Sequence, residues 1–115
     1  MNDSVEDTGS LLGNGAKFSG KLTFLGTVRI EGDFEGEILS DATLVVAKNG
    51  NVKGDIQVKK LVVAGGVVDA KVTAKESVEL LKDGRLLGEV ITPSLEIEKG
   101  AVFKGTSIMP DSENL

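Results

Sequence analysis

Short alternations of apolar and polar residues recur along the chain about every 17 residues. The first repeated motif has a glycine midway between two apolar residues, and its first positions lie 16, 18, 16, 18 and 17 residues apart. Because successive side chains of a strand point to opposite faces, this period of two is typical of strands with one buried face. The copies are Phe18-x-Gly20-x-Leu22, Phe34-x-Gly36-x-Ile38, Val52-x-Gly54-x-Ile56 and Leu86-x-Gly88-x-Val90, with weaker copies at Val68-x-Ala70-x-Val72 and Phe103-x-Gly105-x-Ser107.

A second track of paired apolar residues follows the same period. Its first positions lie 16, 17, 17 and 17 residues apart: Val28-x-Ile30, Leu44-x-Val46, Leu61-x-Val63, Val78-x-Leu80 and Leu95-x-Ile97. Two or three short strands and the turns between them make one coil of a β-solenoid, so two tracks of equal period predict that fold. We expect an all-β chain with about six coils over residues 15–109. Short disordered tails should flank it: a flexible N-terminal tail of residues 1–14 and a C-terminal tail of residues 110–115.

The repeated glycines are predicted to lie at tight corners of the coils. A side chain at such a corner would crowd the neighbouring coil. The alternative is a phosphate-binding loop, but no helical pattern follows to supply the N-terminus that such a loop uses. The predicted structural corner glycines are Gly20, Gly36, Gly54, Gly88 and Gly105.

Composition narrows the function more than the fold. The net charge is -5, and the chain has no Trp, Tyr, His or Cys. A negative chain without stacking aromatics is a poor ligand for nucleic acid, so we expect no direct nucleic-acid partner. Thiol chemistry and the common metal ligands are missing, and we predict no cofactor, no metal site and no enzymatic activity. The acidic start MNDSVEDTGS is unlike a secretion signal, which favours a cytoplasmic location.

The ends of the predicted rod are candidate assembly surfaces. The first and last coils of a solenoid expose unpaired backbone groups, and the expected tails lack the pattern of a capping helix. Phe18 and Phe24 fall at one end and Phe103 at the other. They form the predicted polymerisation interface together with Val102 and Ile108. The simpler interpretation is that an aromatic residue fills the wider mouth of an end coil.

The opening LLGNGAKFSGKLTFLGTVRIEGDFEGEI and the closing LEIEKGAVFKG resemble bactofilins over residues 11 to 108. This resemblance implies a right-handed, three-sided β-helix that polymerises end to end without nucleotide, through contacts between like ends. Phe103 matches the aromatic that the family places at an assembly interface in its last coil. Implied functions are scaffolding in cell shape, wall synthesis, motility or chromosome positioning. The implied partner is the protein itself, with cell-wall enzymes and the inner face of the cytoplasmic membrane as further candidates.

The N-terminus departs from the family pattern. Family members often carry an apolar or basic membrane-targeting segment, whereas Asp3, Glu6 and Asp7 stand here. Leu11 and Leu12 are candidates for a weak membrane contact, and packing onto the first coil is the alternative.

Two other functions fit a solenoid. One is a monomeric or oligomeric adaptor that binds a partner along one face. The other is an enzyme on a left-handed β-helix, such as an acyltransferase, whose chemistry typically uses His. Dilution separates the adaptor from the polymer, since an adaptor should stay near 12.0 kDa.

Overall fold

Strands make up most of the computed structural model, which describes residues 2–5, 9–12, 15 and 17–109, with side chains described at residue 15 and from residue 17 onward. No described residue is helical. The strands are β1 (Asn2–Val5), β2 (Gly9–Leu12), β3 (Lys17–Phe24), β4 (Val28–Ile30), β5 (Asp33–Leu39), β6 (Thr43–Ala47), β7 (Asn51–Ala64), β8 (Val67–Leu80), β9 (Arg85–Ile91), β10 (Leu95–Ile97) and β11 (Val102–Ile108).

The strands stack in parallel, each against the equivalent strand one coil away. Gly20 is in register with Gly36, and Gly36 with Gly54. The same ladder continues through β8 and β9 to β11, which makes six rungs separated by five turns. This arrangement confirms the predicted all-β solenoid, and both sequence tracks run along its ladders.

The rod has three faces. The first face is built from residues 17–20 and their partners in register, and the second face from residues 21–24 and theirs. β3, β5, β9 and β11 each cross from the first face to the second. The third face holds β4, β6 and β10 and the C-terminal parts of β7 and β8.

The core fills the space between the three faces with aliphatic side chains. Inward residues of one coil lie over those of the next, so the buried rows run along the rod. Thr92 is the fully buried polar residue among those described. Its hydroxyl donates to the Ser94 carbonyl oxygen at 3.2 Å and accepts from the Ser94 amide at 3.4 Å. The hydroxyl therefore has both partners, and burial costs it little.

Variation in coil length is confined to turns. From Ile38 to Leu44, on the way from the second face to the third, the chain advances six positions, whereas from Ile56 to Leu61 it advances five. The register shift between Val58 and Lys60 marks this shorter corner of the third coil. Because the turns absorb the difference, the strands on both sides remain in register.

The N-terminal segment differs from the expected flexible tail. β1 pairs with β3 over residues 21–24, and β2 pairs with β4. Both strands lie in residues 1–14 and extend the second and third faces beyond the first coil. A solenoid edge offers unpaired backbone N–H and C=O groups, and a further strand satisfies them. The expected C-terminal tail, residues 110–115, lies outside the described residues.

Candidate assembly interface

The edge formed by β10 and β11 is open in the described part of the chain. Ile97 continues the inner row of the third face, in register with Leu80. Leu80 is fully buried, whereas Ile97 is 49% exposed. Leu95 is likewise half-buried, although its partner Val78 is fully buried. The core rows thus reach this edge with apolar side chains that no described residue covers.

Phe103 lies on the same edge, in the inner row of the first face. It pairs with the fully buried Leu86, is itself half-buried, and packs against the core. Val102 pairs with Arg85 and is also half-buried. Since neighbouring residues of a strand alternate in direction, Phe103 belongs to the inside of the rod and Val102 to its outer surface.

Ile108 is 46% exposed, but its place differs from the prediction that it lies in the end surface. It is in register with Ile91, which follows the fully buried Val90. By strand alternation, Ile91 and Ile108 belong to an outward row on the second face. The motif spacing did not reveal this because Ile108 lies one position beyond the motif.

At the opposite end, the two predicted aromatic residues have different environments. Phe18 is half-buried and stacks on Phe34, with ring centroids 5.3 Å apart and 11° between the ring planes. Phe24 is only 4% exposed, and its strand partner in β1 is Val5. The prediction that Phe24 lies at an open edge is therefore wrong, because β1 adds a strand beyond it. Phe18 is the aromatic residue that remains near this end surface.

The predicted corner glycines lie where the first face meets the second, and each has a positive φ. At Gly54 φ is +124°, and an added Cβ would collide with the carbonyl oxygen of Gly36 in the preceding coil. Such a position accepts no ordinary side chain. In the fourth coil the equivalent residue, Ala70, is nearly buried. The five glycines and their φ values are Gly20 (+140°), Gly36 (+138°), Gly54 (+124°), Gly88 (+119°) and Gly105 (+146°).

The candidate membrane residues Leu11 and Leu12 belong to β2, and Leu12 is in register with Ile30. Their side chains lie outside the described residues. A membrane-spanning helix is not found in the described part of the chain.

Ion pairs line the corner between the second and third faces. Lys75 Nζ lies 2.6 Å from Asp41 Oδ1, and this hydrogen bond holds the pKa of Asp41 below its ordinary value. Lys60 Nζ lies 2.7 Å from Glu79 Oε2, and that hydrogen bond raises the pKa of Lys60. Since these groups face solvent, the pairs help to set register and add little stability. Among residues 17–109, no three acidic side chains gather into a potential metal site.

These features define a parallel β-solenoid with an aliphatic core and an uncovered apolar edge. The chain belongs to the bactofilin family, described as polymer-forming cytoskeletal, whose model matches residues 10–108. The match confirms the resemblance inferred from the opening and closing segments.

Curated relatives and a solved structure agree with this assignment. The chain is 37% identical to bactofilin BacP of Myxococcus xanthus strain DK1622 over 110 residues, covering 96% of this chain and 45% of BacP. It is 30% identical to bactofilin BacO of the same strain over 104 residues, covering 90% of this chain and 82% of BacO. The chain therefore spans less than half the length of BacP. A cryo-EM reconstruction of Thermus thermophilus bactofilin double helical filaments matches with a TM-score of 0.76 and 31% identity, covering 86% of this chain and 97% of that one.

Proposed function

We propose that this chain is a cytoskeletal scaffold protein whose subunits join end to end, through their terminal coils, into filaments. One observation carries the proposal: core rows that are fully buried at Leu80 and Val78 emerge at Ile97 and Leu95 on an edge of unpaired strands. A second copy placed against this edge would bury the apolar side chains and satisfy the backbone groups together.

Both kinds of contact are needed for stable assembly. Fully burying one large aliphatic side chain contributes about 1.5 to 3 kcal/mol. Association costs roughly 4 to 15 kcal/mol in lost translational and rotational freedom. The edge offers Ile97, Leu95 and Phe103 as apolar contacts, and β10 and β11 as hydrogen-bonding strands. Contacts between like ends would place Phe103 near Phe103 of the next subunit.

The proposal includes a non-enzymatic role without a cofactor, in keeping with the polymer-forming family. Along such a filament, other proteins would be organised for cell shape, wall synthesis, motility or chromosome positioning. Cell-wall enzymes are proposed partners, and the inner face of the cytoplasmic membrane is the proposed location, reached through Leu11 and Leu12. Many weak contacts of this kind would add up along a polymer.

Assembly is expected to be independent of nucleotide and divalent metal. The purified chain in EDTA-containing buffer should pellet to the same extent as with ATP or GTP and magnesium, because stacking apolar edges requires no phosphate. Sedimentation in both buffers, followed by size analysis after dilution, makes the measurement. Pelleting only with nucleotide would contradict the proposal, and a stable species near 12.0 kDa would favour the adaptor.

A further inference from the structure

An uncharged row runs along the outside of the second face. Its six positions follow one another in register through every coil: Thr23, Leu39, Gln57, Thr73, Ile91 and Ile108. The neighbouring outward row on the same face carries a charge at five of six positions: Lys21, Glu37, Asp55, Lys71, Glu89 and Thr106. The uncharged positions are thus confined to a single line, which we call the second-face strip.

The strip differs from the outward rows of the other faces. On the third face, Arg29, Glu79 and Glu96 interrupt the row that contains Val45 and Val62. On the first face, Leu87 lies between Asp69 and Lys104 in register. Single exposed apolar residues are ordinary on protein surfaces, but a line of uncharged side chains through six rungs is not. At a strand spacing of ~4.8 Å the strip is ~24 Å long, and end-to-end stacking would extend it along the filament.

A recess with a volume of about 330 Å³ borders the strip where the third coil has its shorter corner. Asp41 of the second coil and Lys75 of the fourth form their ion pair across this corner. Leu25 follows the first strand of the same face and is 67% exposed. The face therefore has relief as well as apolar surface. The recess is lined by Leu39, Ser40, Asp41, Gln57, Val58, Thr73 and Lys75.

We propose that the second-face strip is the lateral contact through which two filaments of this chain wind around each other, its occupant being a second copy of the same strip. The inference rests on the proposed filament. Its external support is the matching Thermus thermophilus bactofilin, which forms double helical filaments and so has a lateral contact of its own.

The strip is chosen over the other rows on electrostatic grounds. When two identical strands are related by a rotation axis along the filament, each residue faces its own counterpart at the same height. A charged row would then bring like charges together, whereas an uncharged row packs on itself without that cost. Of the outward rows of the three faces, the strip is the one that meets this condition in every coil.

The test uses two matched positions in β9, on either side of the corner glycine Gly88. Ile91 lies in the second-face strip and Leu87 on the first face, and both are half-exposed aliphatic residues. Cryo-EM of Ile91→Glu is expected to show single-stranded filaments, because like charges then face each other in every subunit. Leu87→Glu should retain the double filaments of the unchanged chain. Thr73→Glu repeats the test in the middle of the rod and should also separate the strands.

Several outcomes would overturn the assignment. Double filaments from both Ile91→Glu and Thr73→Glu would place the lateral contact elsewhere, as would single filaments from Leu87→Glu. Folded strip variants that form no filament at all would show that the strip acts in end-to-end contact. If the unchanged chain forms only single filaments, the lateral contact fails while the proposed function stands. If the unchanged chain forms none, the proposed function itself fails.

Discussion

Phe103→Arg is expected to leave a folded, β-rich subunit that no longer sediments as filaments, whereas Val52→Arg is expected to unfold the protein. Phe103 is half-buried on the open edge, so an arginine there can reach water in the monomer. In a filament the same guanidinium would be buried without a partner, which costs several kcal/mol, and contact between like ends counts that cost twice. Val52 is fully buried, with coils on both sides and no path to solvent.

Sedimentation and circular dichroism of both variants make this comparison. Filaments from Phe103→Arg would show that the edge of β11 is not the assembly surface. Unfolding of Phe103→Arg to the same extent as Val52→Arg would mean that Phe103 is an ordinary core residue, as the simpler interpretation of the end aromatics holds. The Val52 variant thus controls for the effect of placing a charge in an inner row.

Gly54→Ala is expected to lower the free energy of unfolding far more than Gly65→Ala. Both glycines have a positive φ, +124° at Gly54 and +105° at Gly65, so both variants carry backbone strain of about 1 to 3 kcal/mol. At Gly54 the new Cβ also collides with the Gly36 carbonyl oxygen, whereas at Gly65 its nearest neighbour is Lys48 Cα at 3.5 Å. The collision should add more than about 2 kcal/mol, because the backbone of the adjacent coil must move.

Assembly stabilises the folded state by mass action, so both glycine variants belong in a Phe103→Arg background that does not polymerise. Denaturant unfolding then gives the two free-energy differences directly. Equal losses at the two positions would remove the role of inter-coil contact and leave only backbone strain. Val at position 54 should be worse than Ala, since a β-branched side chain is bulkier next to the same oxygen.

The spacing of apolar residues predicts the solenoid because each repeat reports the same local environment. A period of two places Leu22 and Ile38 inside, and the longer period places them one above the other, as the register shows. The corner glycines follow from the same pattern, since Gly20, Gly36 and Gly54 recur midway between inward residues. Function at the level of a polymer was accessible for a related reason: a repeat fold has two ends with unpaired edges.

Three features were not accessible from the repeat pattern. β1 and β2 lack the spacing of the two tracks, so their pairing, and with it the burial of Phe24, depends on tertiary contact with the first coil. The direction of Ile108 depends on register with Ile91. The recess beside the second-face strip results from a one-residue shortening of a corner, which the sequence shows only as a change of interval from 16 to 18 residues.

The central claim is that open solenoid edges join subunits end to end. Cryo-EM of the purified chain, prepared without nucleotide and with EDTA, tests it most directly. The account predicts filaments in which the rod axis of each subunit lies along the filament, and in which Phe103 and Ile97 are buried at a junction between terminal coils. Filaments that leave the edge of β10 and β11 in solvent, or a dispersed monomer at concentrations where bactofilins assemble, would contradict it.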